Sequence, residues 1–306
     1  MYDTLRLFQT HNQGFELISK LENCSEAISR KTGEIFFSGS LKNLSCDVYE
    51  SGILVFGSMP KYYFGNNIRT LTRKETESCI NQLSNDLSID LSNAKVFRFD
   101  IACNLLMKYP CKTYYQYLGE SRYYDKSVYG NKSTVQYTCK RRAKLFYDKL
   151  KELNRKKEVI PDIFKKRNLL RFELRYYKRI KPQLELKESL TAEKLYSEEF
   201  YIMILKKLLE EYHSIEKIRK VNPLLNEHDL KPKNLEKIFA TIGIHSIGYE
   251  SALELLENSK SMLSKNDYYR AKDKIKALAK NELITTESEH IAELTEKLEQ
   301  AVKFYR

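Results

Sequence analysis

The chain has no tryptophan, no Cys-x-x-Cys, no paired histidines and no long apolar run, and each absence removes a class of function. Its six cysteines are scattered, which argues against a structural zinc site and for reduced thiols. The histidines stand singly, with no His-x-His or His-x-x-x-His, so a histidine-built metal site is not expected. The longest apolar runs last only a few residues, as in Tyr201 to Leu205, far short of a membrane span. The start of the chain, Met1 to Thr10, lacks the basic-then-apolar order of a secretory signal. No solenoid-type repeat and no low-complexity stretch interrupts it. The expectation is a soluble intracellular protein with no membrane partner.

What the chain does have is positive charge and tyrosine. It carries a formal charge of +12 over 306 residues, and excess Lys and Arg most often meets a polyanion, because the cations release counterions from phosphates. The basic residues crowd between Lys140 and Lys181, with Lys140, Arg141, Arg142 and Lys144 as the first cluster. The 22 tyrosines lie partly beside them. Rings interleaved with cations suit unpaired bases, which stack while phosphates meet charge. Nucleic acid is the expected partner; half-buried strand positions would also favour tyrosine without any ligand.

Two textures follow each other along the chain. "GEIFFSGSL", "LSCDVYE" and "GILVFGSM" are short, β-rich and separated by turn residues, as in an antiparallel meander. "TRKETESCINQLSNDL" then sets Cys79, Ile80, Leu83 and Leu87 at helical spacing. A short helix is expected in "PCKTYYQYLGE", and strands in "STVQYT" and "KLFYDKL". From about Leu190 the pattern turns helical. It reads as one long helix from Thr191 to about Ile215, another from Lys231 stopping at Gly243, a third after a turn, and a last one capped by Thr286 and Glu289. "TIGIHSIG" could belong to a DNA-reading helix-turn-helix, though a plain helical hairpin fits as well. The fold class is α+β, a mainly antiparallel sheet flanked by helices followed by an all-helical C-terminal region. The expected domains are 1–185 and 186–306.

Two strands share a pattern: "VFRFDIACN" (Val96 to Asn104) and "LLRFELRYY" (Leu169 to Tyr177) each place Arg-Phe-acid inside an apolar run. Residues i and i+2 of a strand share a face, so Arg98 points with Asp100, and Arg171 with Glu173 and Arg175. If the strands are neighbours, Asp100 and Glu173 could hold Mg²⁺ or Mn²⁺, with the arginines gripping phosphate. The alternative is a ladder pairing Arg98 with Glu173 and Arg171 with Asp100. Between the strands, Tyr137 precedes the basic cluster and Tyr147-Asp148-Lys149 closes the segment. A tyrosine near a cation can attack a phosphodiester to give a covalent phosphotyrosine.

"FSGSLKNL", the following helix, "AKVFRFDIACN", "YLGESRYY", "LFYDK" and "LLRFELRYYKR" resemble, in order, the phage and plasmid replication initiators of the filamentous-phage gene II/X type. The resemblance covers about Phe37 to Arg179. It implies an HUH-like α+β nicking domain in a bacterial host's cytoplasm, and rolling-circle initiation through a tyrosine joined to the 5′ phosphate of the cut strand. It also implies a divalent cation. Carried over, Asp100 and Glu173 match the acidic positions, Tyr147 to Lys149 the Tyr-Asp-Lys element, and Tyr137 the nucleophile, with Tyr129 and Tyr124 as alternatives. Arg98, Arg171 and Lys149 would then act on the scissile phosphate, while Lys140, Arg141, Arg142, Lys144 and Arg175 would hold DNA. A host helicase or polymerase is a possible further partner. Competing readings are a relaxase-like mobilisation protein with the same chemistry, an origin-binding protein that does not cut, and a structural nucleic-acid binder.

Overall fold

The turn-punctuated segments of the first half pair into one antiparallel sheet. The computed structural model describes residues 1–12, 14–30, 32–131, 133–221, 231–281 and 285–306. Its strands are β1 (Tyr2–Thr10), β2 (Glu22–Ile28), β3 (Ile35–Leu41), β4 (Leu44–Tyr49), β5 (Gly52–Ser58), β6 (Lys95–Met107), β7 (Leu118–Ser121), β8 (Asp125–Tyr129), β9 (Thr134–Thr138), β10 (Arg142–Asp148) and β11 (Asn168–Tyr176). Ten of them form a sheet in the order β2-β3-β4-β5-β1-β6-β11-β10-β9-β8; β7 pairs elsewhere with a short strand, Ile215–Lys217. The α+β class is as expected, and the two Arg-Phe-acid strands, β6 and β11, are neighbours in the sheet.

Period-2 alternation gives the sheet two unlike faces. Leu5, Leu7, Phe99, Ile101, Cys103, Phe146, Phe172 and Leu174 are buried on one. The helix Glu198–His213 packs there: Phe200 meets Phe99, and Tyr212 meets Phe172 and Phe146, with ring centroids 6.1–6.4 Å apart. The other face carries Arg6, Arg98, Asp100, Glu173, Arg175 and Tyr147. Two bulges interrupt the β1–β6 pairing. β1 has one extra residue between Tyr2 and Leu5, and β6 has one between Val96 and Arg98, namely Phe97. An extra residue bends its strand and re-aims the side chains beside it.

The helix expected in "TRKETESCINQLSNDL" runs Arg73–Leu87, with Thr72 and Glu75 closing a capping box. Three helical expectations need correction. The long helix after Thr191 is two, Ala192–Tyr196 and Glu198–His213, because Ser197 is extended (ψ 140°). The next helix continues through Gly243 to Ile247 and ends at Gly248, whose φ of 90° suits glycine. Thr286 lies in a short strand, and the last helix begins at Glu289 behind Ser288, whose hydroxyl accepts from the His290 N–H at 3.3 Å.

Two compact units emerge. One comprises Met1–Cys111, Ser121–Ser214 and Lys297–Arg306, and the other Lys112–Glu120 and Ile215–Glu296. The first holds the sheet. The second is mainly helical, with Ile218, Tyr249 and Ala279 at the centre of a small core. Among the described residues, no helix is long and apolar enough to cross a membrane.

Candidate active site on the open face of the sheet

Register brings the charged side chains together. β11 pairs with β6 so that Arg175 faces Asp100, Glu173 faces Ala102 and Arg171 faces Asn104. β10 pairs with β11 so that Tyr147 faces Arg171 and Leu145 faces Glu173. These are same-face positions on three adjacent strands, so Asp100, Glu173 and Tyr147 converge.

The ion pairs differ from the ladder given as the alternative, Arg98 with Glu173 and Arg171 with Asp100. Arg98 folds back along its own strand onto Asp100, with Nε 2.9 Å from Oδ1 and Nη2 2.6 Å from Oδ2. Arg175 Nε donates to Glu173 Oε1 at 2.6 Å and lies 3.7 Å from Asp100 Oδ2. Arg171 reaches Asp3 Oδ2 at 2.8 Å and Glu173 Oε2 at 3.3 Å, and donates to the Asn67 carbonyl at 3.0 Å. The Tyr147 hydroxyl donates to Glu173 Oε2 at 2.9 Å. Same-strand neighbours two residues apart are within reach of an arginine's long arm, which is why Arg98 does not cross to Glu173.

The carboxylates are buried while Arg98, Arg175 and Tyr147 keep partial access to solvent. Burial, with repulsion from Glu173, pushes the Asp100 carboxyl up to about 7 against the pull of Arg98 and Arg175. Burial also raises the Tyr147 phenol well above its ordinary value, only partly opposed by Arg171. Lys149 is buried against Asn67 Oδ1 (2.8 Å) and Glu152 Oε2 (2.7 Å), and burial with the nearby Arg171 lowers its ammonium to about 8. Above this floor is a cleft of about 650 Å³, lined by Asp3, Asp100, Tyr129, Tyr147, Glu173 and Arg175, with Lys151 and Arg155 on its wall.

Not every expected residue joins this cleft. Tyr137 is fully buried and shares a face with its register partner Lys144, opposite to Tyr147. Tyr124 donates to Glu211 Oε2 at 3.0 Å, and Glu211 also takes Lys144 (2.8 Å) and Arg142 (2.9 Å). Lys144 and Arg142 are thus held in the packed side of the sheet. Lys140 and Arg141 are exposed. Tyr129 reaches the cleft from β8 and donates to Gln136 Oε1 at 2.7 Å. Asp3 was missed in the sequence: the β1 bulge lies at it, and it accepts from Ser58 Oγ at 2.9 Å. Burial works against its charge, but Arg171 and Lys149 hold its carboxyl below the ordinary range. A lone carboxylate in an alternating first strand was its only signal. Asn67 and Glu152, which seat Arg171 and Lys149, left none.

A divalent cation does not fit this donor set as it stands. Both oxygens of Asp100 and both of Glu173 face guanidinium or phenol donors. Among the described residues, no three His, Cys, Asp or Glu side chains group so as to hold a metal ion. Three arginines already supply positive charge where a cation would.

No curated protein matches the chain. A family model described as the N-terminal part of a phage replication-associated protein, of the filamentous-phage gene II type, matches residues 11–198. That is more than half of the chain and includes all of β6, β10 and β11, the strands that carry Asp100, Tyr147 and Glu173, so the chain belongs to this phage replication protein family.

Proposed function

We propose that the protein is a replication initiator that nicks one DNA strand at a phage or plasmid origin and holds the cut end as a phosphotyrosine. The observation that carries this is the Tyr147 phenol, hydrogen-bonded to Glu173 at the edge of a cleft whose floor includes Arg98 and Arg175. A nucleophile within reach of a base, beside cations that match phosphate, is the arrangement transesterification needs. Tyr147 is preferred to Tyr137 because it faces the carboxylates.

In the forward step Tyr147 Oη attacks the scissile phosphorus and its proton passes to Glu173. The bond from phosphorus to the 3′ oxygen breaks. The 5′ phosphate remains on tyrosine and the 3′ end leaves as a hydroxyl, able to prime synthesis. Asp100, titrating near neutrality, is the group that can hold a proton and give it to the leaving oxygen. Arg98 and Arg175 would shift partly from the carboxylates to the phosphate oxygens. Bond energy is kept in the phosphotyrosine, so the strand can be rejoined.

A second reading is favoured by the closed pairing of all four carboxylate oxygens: an origin-binding protein that does not cut. A nicking assay on supercoiled DNA carrying the protein's own replicon separates the two, run with Mg²⁺, with Mn²⁺ and with EDTA. A denaturing gel would reveal protein attached to DNA. An adduct that disappears in Tyr147→Phe and persists in Tyr137→Phe and Tyr129→Phe supports the first reading. Loss in either of the other variants alone would move the nucleophile. Origin binding with neither nick nor adduct leaves the binder.

A further inference from the structure

A second and larger cleft, about 1520 Å³, opens on the same face of the sheet. Its floor comes from β1, β4, β5 and β6. Register lines up Phe56, Arg6 and Arg98 across β5, β1 and β6. The Arg98 guanidinium lies 5.6 Å from the centre of the Phe56 ring. Beside Arg98 the bulge adds Phe97, and this ring lines the cleft with Arg98 while remaining 52% exposed; Phe56 is 38% exposed. A bulge that turns a phenylalanine outward next to an arginine costs sheet regularity and leaves about half of the ring exposed.

The rim is basic. Lys140 and Arg141 precede β10, Lys178 and Arg179 follow β11, and the β10–β11 pairing sets these two pairs side by side. The Tyr177 N–H donates to the Arg141 carbonyl at 3.3 Å, which ties them together. Against these cations and the two floor arginines the cleft holds two carboxylates, Glu34 and Asp47. Exposed rings set among cations fit bases with their faces free, which a duplex does not offer. Arg98 lines both clefts, so a strand lying in the larger one leads to the smaller.

We infer that the larger cleft seats unpaired nucleotides, with bases stacked on Phe56 and Phe97 and phosphates on Lys140, Arg141, Lys178 and Arg179. Its placement beside the cut rests on the proposed nicking site; its preference for unpaired DNA does not. The cleft thus selects melted DNA next to the site of attack.

Fluorescence anisotropy with a labelled single-stranded oligonucleotide and with its duplex, over a salt series and without metal, tests this. Wild type should bind the single strand more tightly. The double variant Phe56→Ala/Phe97→Ala should lose single-strand affinity by at least about 30-fold, the value of two stacked bases, while keeping its duplex affinity and salt slope. Phe56→Tyr/Phe97→Tyr should restore it, which separates stacking from folding. Lys140→Ala/Arg141→Ala should weaken binding and reduce the single-strand salt slope by about 1.4, at about 0.7 per phosphate contact. Equal single-strand binding by wild type and the double alanine variant, or a wild-type preference for duplex, would overturn the inference. Because the readout is binding, failure to nick with these results intact removes the nicking proposal and leaves the cleft standing.

Discussion

Tyr147 and Glu173 meet at 2.9 Å across β10 and β11 although they are not register partners: Tyr147 sits opposite Arg171, and Glu173 is the diagonal neighbour. The phenol therefore crosses over the Arg171 position to reach the carboxylate, and Arg171 stays beneath both. If this contact moves the proton, Glu173→Gln should slow nicking by about 10²–10⁴-fold while leaving origin affinity within a few-fold. Single-turnover nicking beside a binding titration checks it; equal losses of both would make Glu173 a structural residue.

Arg171 is fully buried and has Asp3 and Glu173 as ionic partners. Arg171→Met would leave buried Asp3 without its ion-pair partner, while Glu173 keeps Arg175, and should destabilise the protein by about 3 kcal/mol or more. Urea unfolding measures this. A loss below about 1 kcal/mol, the size expected of a surface pair, would contradict the network described.

Lys144 separates charge from function. It is buried with Glu211 at 2.8 Å and Ser121 Oγ at 2.8 Å, so Lys144→Met should cost on the order of 3 kcal/mol, nearer the low end because Arg142 still pairs with Glu211. The folded variant should keep the wild-type salt dependence of DNA binding. A reduced slope would mean that Lys144 reaches phosphate.

Asp100 gives a pH signature. Its carboxyl is raised from the ordinary 3.8 to about 7, so the folded state binds the proton more tightly than the unfolded chain. Its contribution to stability is full below about 4 and is lost as pH rises to about 7. The stability of wild type relative to Asp100→Asn should therefore fall across that window in urea titrations. A difference that grows with pH would show that Arg98 and Arg175 dominate instead.

With the carboxylate oxygens taken, Mg²⁺ or Mn²⁺ added to the DNA-free protein should leave the melting temperature unchanged. A site filled at 100 times its Kd would add about 2.7 kcal/mol and be easily seen. A clear rise would mean that the arginines yield to a cation.

Local signals were legible where local chemistry decides. The helix over Arg73–Leu87, the meander and the two Arg-Phe-acid strands read directly from residue order. What could not be read was face. Tyr137 and Tyr147 lie on two strands of one hairpin, and only the pairing of Tyr137 with Lys144 shows that they point oppositely. Phe97 breaks the i, i+2 rule because a bulge occupies it, and no spacing pattern announces a bulge. The choice of Arg98 for Asp100 over Glu173 likewise depends on how an arginine folds along its own strand.

The two bulges also act as a registration pin. One lies in β1 beside Asp3, the other in β6 at Phe97, and they offset each other in the two halves of a single strand pair. Sliding β1 along β6 would misplace both at once, so the central pairing has one alignment in which Asp3 meets Arg171 and Arg98 lies on Arg6. Substitutions along these strands are then a matter of packing, whereas loss or gain of a single residue at either irregularity turns the remainder of its strand to the opposite face.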